Sequence, residues 1–225
     1  MLLAGERKAV VRRLASYVLR ERIDLERGLL LLARFEDPRL DLRPVMATLD
    51  ALGAELSSRV EARAPDLSRS LELVRLLGEE RKFDGEHEDY HHPDNVHLHR
   101  ALQRRRGLPL TLCAIYLLVA RRARIQASAL PLPGHVVLRV QAAGARALID
   151  PFRQGARISE RDCLAYLARR GLPFRPQWFA DASDRELLER QVRNLRSAYA
   201  RRGLGAEVDL LELVLTAFER GGARP

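Results

Sequence analysis

Residues 108–120 read Leu-Pro-Leu-Thr-Leu-Cys-Ala-Ile-Tyr-Leu-Leu-Val-Ala and run straight into Arg121-Arg122-Ala123-Arg124. A proline in the first turn and arginines in the last are helix-end signals, so the spacing predicts a helix from Pro109 to Ala120. Its side chains are apolar on nearly every side, and such a helix has to be surrounded by protein or by lipid. Thirteen residues are too few to cross a bilayer. The chain is therefore expected to wrap a buried central helix with the rest of its length.

The remainder supplies suitable wrapping. Val10, Val11, Leu14, Tyr17 and Val18 recur at helical spacing. Leu29 to Leu32 with Phe35 follow a cap at Asp24 and stop before Pro38. Val45, Leu49, Leu52, Leu56 and Val60 form a third stripe ending at Pro65. Asp66 is read as the cap of a fourth helix, with Leu71, Val74 and Leu77 on one face and Gly78 near its end. Residues 81–100 lose this period and read as a structured loop rich in charge and histidine. After the central helix, Val136-Val137-Leu138-Arg139-Val140 and Ala147-Leu148-Ile149 are short β-type runs around Gln141 to Ala145, a hairpin. A helix carrying Cys163, Leu164 and Leu167, a linker over 173–179, and two closing helices near Asp184–Arg201 and Ala206–Arg220 complete the chain. The expected organisation is a helical part over 1–80, an α+β core over 81–180, and a helix pair over 181–225 that reads as one tetratricopeptide-like unit.

Charge is the feature most easily misread. The net charge is +9, but only Lys8 and Lys82 among 39 basic residues are lysine. Arginines spread end to end among 30 acids read as coding bias more than as a phosphate-binding face, so nucleic acid is not the expected partner. Two cysteines, Cys113 and Cys163, in apolar helical contexts form no disulfide framework. The opening residues lack the signal-peptide pattern, and the expectation is a cytoplasmic protein without a membrane anchor.

The hairpin carries the sharpest chemical expectation. With the turn centred between Ala142 and Ala143, paired residue numbers sum to 285, which sets His135 opposite Asp150 on one face. A carboxylate behind an imidazole fixes its tautomer and supports its protonated form, as a general base requires. Cys113 on the preceding helix completes the chain order Cys, His, Asp, and such a histidine would draw the thiol toward thiolate. The same residues have plain structural readings. Cys113 is a small buried apolar residue, His135 holds the Pro133-Gly134 turn, and Asp150 begins a turn before Pro151.

At this point the wording of the sequence resembles a family. Arg105-Arg106-Gly107-Leu108-Pro109-Leu110-Thr111-Leu112, Leu132-Pro133-Gly134-His135 and Ile149-Asp150-Pro151-Phe152 resemble the SirB1-like branch of the transglutaminase-like superfamily, which has a papain-like fold. Asp89-Tyr90, Pro93 and Asn95 are similar to that branch's Tyr-x-Asp-Pro-x-Asn segment, with His92 in place of the Asp. The resemblance implies a central helix packed on a small antiparallel sheet, with helical extensions at both ends. It also implies a nucleophile in the helix's first turn, about two residues after a glycine. Counting from Gly107 that position is Pro109, while Cys113 lies in the second turn, where this branch often carries a small packing residue.

Two functions stay open on these grounds. One is a cysteine-dependent acyl-transfer or amide-hydrolysing enzyme, with Cys113 as nucleophile, His135 as base and Asp150 as orienter, acting by analogy on a glutamine or peptide amide. The other, favoured by the displaced cysteine, is a non-catalytic binding or regulatory protein with a protein or peptide partner. Five histidines, His87, His91, His92, His97 and His99, crowd one segment, yet no fixed-spacing metal framework is present, and no metal or cofactor is expected. Arg104-Arg105-Arg106 and Arg121-Arg122 read as solvated helix flanks, or more sharply as a patch for an acidic partner.

Overall fold

A computed structural model of the chain describes residues 2–61, 67–142 and 144–222. The α-helices among them are α1 (Leu2–Val18), α2 (Leu25–Glu36), α3 (Arg43–Glu61), α4 (Ser68–Val74), α5 (Leu98–Arg104), α6 (Pro109–Arg122), α7 (Glu160–Arg169), α8 (Asp184–Arg201) and α9 (Gly205–Gly222). The strands are β1 (Asp84–Gly85), β2 (Arg106–Gly107), β3 (Gln126–Leu130), β4 (Val137–Ala142), β5 (Ala145–Asp150) and β6 (Ala156–Ile158). This is an α+β architecture in which α6 is the central helix.

Every residue of α6 from Pro109 to Ala120 is buried, as its all-round apolar surface demands. The helix is covered by α3, α5 and α8 and by the four-stranded antiparallel sheet of order β3-β4-β5-β6. Alternation along β4 divides that sheet's two faces. Leu138 and Val140 join the core around α6, whereas Val137 points to a smaller cluster with Leu130, Leu132, Leu148 and Cys163. Trp178 and Phe179, in a 3-10 turn over Pro176–Phe179, close that second cluster. The 173–179 stretch is thus tied down: Phe179 accepts a hydrogen bond from Arg139, and Ala182 donates to Ala129.

The third helical stripe is buried along its whole length: Val45, Leu49, Leu52, Leu56 and Val60 all lie in the core. Asp24 caps α2 by accepting from the Arg27 amide, and that helix ends at Glu36, one residue before the Asp37-Pro38 junction. The expected helix end at Pro65 and cap at Asp66 fall outside the described residues.

Three expectations need correcting. Leu71 is 60 % exposed, while Leu73, Leu76 and Leu77 are buried. The cause is a π-helical turn over Arg75–Glu80, closed by the Arg81 amide on the Leu76 carbonyl, which shifts the helix phase that a 3.6-residue period assumes. Part of the histidine-rich segment is not loop but α5, whose buried Leu98, Ala101 and Leu102 are too few to write a period. The hairpin register is also displaced: Leu138 faces Ile149 and Ala142 faces Ala145, so paired numbers sum to 287.

The arginines flanking α6 are mostly engaged within the molecule. Arg121 pairs with Asp184, and Arg122 with both Glu26 and Asp50. Arg104 and Arg106 pair with Glu86 and Asp84. They bind the central helix's two ends to four other parts of the chain. No helix among the described residues is long and apolar enough to cross a membrane.

Candidate functional site

Asp150 ends β5 and His135 stands two residues before β4, just after the Pro133-Gly134 turn. His135 Nε2 and Asp150 Oδ2 are 3.0 Å apart. The contact forms despite the altered register because the displacement is even. Moving a strand by two positions keeps each side chain on its face, where a shift of one would have reversed it. Val137 thus takes the position opposite Asp150, and the imidazole reaches the same carboxylate from one step further along. Asp150 is almost fully buried, and its second oxygen accepts from the Phe152 amide.

The turn before His135 is held from three directions. His135 donates its amide to Leu132, Tyr166 donates its hydroxyl to the Pro133 carbonyl at 3.2 Å, and Arg190 of α8 donates to the Leu132 carbonyl at 2.9 Å. Gly134 has φ of +73°, a backbone state that a side chain disfavours. The imidazole lies edge-on to Phe152 and beside Tyr166, with ring centroids 5.9 and 5.6 Å away.

Cys113 makes its hydrogen bond elsewhere. Its thiol is fully buried among the apolar residues of the core and donates to the Val137 carbonyl at 3.8 Å. Among the described residues it forms no hydrogen bond with His135. Burial pushes its pKa well above the usual thiol range, and the nearby charge of Asp150 pushes the same way. Reactive cysteines have the opposite shift.

What faces His135 instead is a cleft. A hollow of about 560 Å³ is lined by His135, Asp150, Phe152, Tyr166 and Cys163, and by Pro109. A second of about 320 Å³ shares Pro109, Gly134, His135 and Tyr90 with it and runs toward α8. Pro109, the residue at the position where the resemblance puts a nucleophile, thus lines the same two hollows as the imidazole. Cys163, the other thiol, lines the larger of them, but burial pushes its pKa up to about 11 and it is only 2 % exposed.

Arginines outnumber acids in the cleft. Arg153, Arg169 and Arg170 line the larger hollow, and Arg190 and Arg201 the smaller. Its acids, Asp150 and Asp162, are occupied by His135 and by the Ser159 cap of α7. These arginines are not legible in the sequence, because they come from separate elements and look no different from the other arginines in the chain. A grouping of residues able to hold a metal, Glu36, His97 and His99, lines neither hollow.

The profile of the transglutaminase-like superfamily matches residues 43–193, about two thirds of the chain. The chain belongs to that superfamily. It is 30 % identical over 187 residues to a UPF0162 protein of Xylella fastidiosa, covering 80 % of this chain and 66 % of that protein. A UPF0162 protein of Pseudomonas aeruginosa is 32 % identical over 158 residues, covering 69 % of this chain and 57 % of the relative. F-box only protein 21 of Mus musculus is 30 % identical over 144 residues, 60 % of this chain and 22 % of that much longer protein. The chain therefore spans between 57 % and 67 % of the length of the bacterial relatives it matches. No solved structure matches it. The superfamily profile starts within α3 territory and ends in α8, so it takes in the central helix, the sheet, His135 and Asp150.

Proposed function

We propose that this protein is a SirB1-like member of the superfamily that acts by binding, holding an acidic protein or peptide segment in the arginine-lined cleft around His135. One observation carries the reading: Pro109 lines the same cleft as the imidazole, while the buried thiol of the central helix bonds a backbone carbonyl. A nucleophile several ångströms out of line contributes no chemistry. In this reading residues 81–180 form the binding unit, residues 1–80 buttress it, and the tail over 181–225 contributes Arg190 and Arg201 to the cleft's second arm.

The cysteine-dependent enzyme is the second reading, and the 3.0 Å bond between His135 and Asp150 favours it, since that pair is what a general base needs. Alkylation of the native protein with iodoacetamide at neutral pH separates the two. The binding reading expects Cys113 to stay unmodified until the chain is unfolded, and rapid labelling that disappears in His135→Ala would replace it with the enzyme. The binding half is tested by fluorescence anisotropy with a polyglutamate peptide. Arg169→Glu with Arg170→Glu is expected to weaken binding at least tenfold, and raised salt to weaken the wild type steeply. Equal affinity in the charge-reversed variant would remove the cleft from the proposal.

A further inference from the structure

We propose that Glu36, His97 and His99 form a binding site for a divalent transition metal of the zinc class, which staples the end of α2 to the start of α5. Glu36 is the last residue of α2, His97 stands just before α5, and His99 lies in that helix's first turn. One ligand atom from each comes within 4.8 Å of the other two. Two imidazoles and a carboxylate are a common zinc donor set, and tetrahedral bonds near 2.0–2.1 Å would draw the most distant pair together by about 1.5 Å. His99 Nε2 and Glu36 Oε2 are already 2.9 Å apart, close to the edge of such a tetrahedron.

The hydrogen-bond inventory points the same way. His97 and His99 are 1 % and 3 % exposed, and their rings hold four polar nitrogens. His97 Nε2 faces the Tyr199 hydroxyl at 3.4 Å and His99 Nε2 faces Glu36, while both Nδ1 atoms are buried without a partner. Buried polar atoms in folded proteins are satisfied almost without exception, and an ion would take up one nitrogen of each ring.

Glu36 is prepared for the role. Its carboxylate already accepts from Arg100 and lies against His99. Arg100 grips chiefly Oε1, at 3.0 and 2.7 Å, with a longer contact to Oε2. It acts as an outer partner that orients the carboxylate and leaves Oε2 turned to the histidines. Glu36 retains 23 % side-chain exposure, which provides the ion's way in. His87 and His91, by contrast, are exposed on the loop and offer only adventitious binding.

The experiment uses full-length protein made without a histidine tag and stripped with chelator, titrated with Co²⁺ while its visible absorption is recorded. The expected result is one equivalent bound with the intense bands of a four-coordinate site, displaced by Zn²⁺, and a higher melting temperature for the loaded protein. The surface variant His87→Ala/His91→Ala should bind as the wild type does. His97→Gln/His99→Gln should lose the site, and the milder Glu36→Gln should weaken it by about tenfold or more. Wild-type protein that takes up no stoichiometric Co²⁺, or binding that vanishes only in the surface variant, overturns the site. The wild-type titration decides even if the double histidine variant fails to fold.

Discussion

Gly78 shows how much a single position can hold. A methyl group placed there would lie 1.9 Å from the carbonyl oxygen of Gln154, deep inside van der Waals contact with rigid backbone. The sequence suggested a glycine near a helix end. Its actual duty is to let the π-helical turn lie against the backbone that follows Asp150, behind the cleft. Gly78→Ala is therefore expected to cost about 2–4 kcal/mol, read as a shift in the urea midpoint without a change of slope. A loss under about 0.5 kcal/mol would mean that the two segments are not in contact. Asn95 is the second such residue, fully buried in the histidine-rich segment. Its amide nitrogen donates to the Asp89 and Tyr90 carbonyls at 2.7 and 3.2 Å, and its side-chain oxygen accepts from Arg104 at 2.8 Å. Its backbone carbonyl accepts from the Leu108 amide and the Thr111 hydroxyl, which joins the segment to the first turn of α6. Asn95→Ala strands the Asp89 and Tyr90 carbonyls and is expected to lower stability by about 2–3 kcal/mol.

At the level of elements, the central helix was legible because nothing else in the chain is apolar on all sides, and the hairpin because two β-type runs flank a short glycine-containing turn. Side-chain parity in the hairpin was readable even though the register was not, since an even error leaves faces unchanged. β3 and β6 were harder. Gln126–Leu130 alternates poorly and Ala156–Ile158 has only three residues, and each becomes a strand by pairing with a neighbour. The same logic hid the site: which turn of α6 faces His135 depends on how the helix is rotated against the sheet, and sequence spacing does not record that rotation. The rotation yields a sharp expectation. A thiol introduced at the first turn by Pro109→Cys would enter the cleft wall beside His135, at a helix N-terminus that favours thiolate. Neutral-pH iodoacetamide should label the introduced thiol at least tenfold faster than it labels Cys113 or Cys163, and His135→Ala should remove most of that advantage. Equal labelling of all three would show that position 109 does not face the imidazole.

For the molecule as a whole, the question is whether the two helical ends are appendages or parts of one structure. α1 packs against α9 and α2, and α8 packs against both α9 and α2, so the first and last helices close on each other around the core. One apolar cluster runs from Val10 through α6 to Phe218. Charges follow the same path: Arg7 pairs with Glu207 at 2.7 Å, and Arg185 donates to the carbonyls of Val18 and Arg20. These contacts join residues more than 160 positions apart, which is why a reading made segment by segment divides the chain into three while the packing links its ends. Leu211, Val214, Leu215 and Phe218 are buried, and each fully buried side chain of this kind contributes about 1.5–3 kcal/mol. Removing α9 forfeits that sum and uncovers the inner face of α1 as well, a loss comparable to the whole stability of an ordinary domain. Calorimetry of the intact chain should therefore show a single transition whose van't Hoff and calorimetric enthalpies agree. The chain ended after Arg202 should bind a hydrophobic dye and lose its sharp melt, including the part that contains the cleft. Two resolved transitions, or a truncated chain that keeps a cooperative melt near the original temperature, would show that the ends are carried by the central part without supporting it.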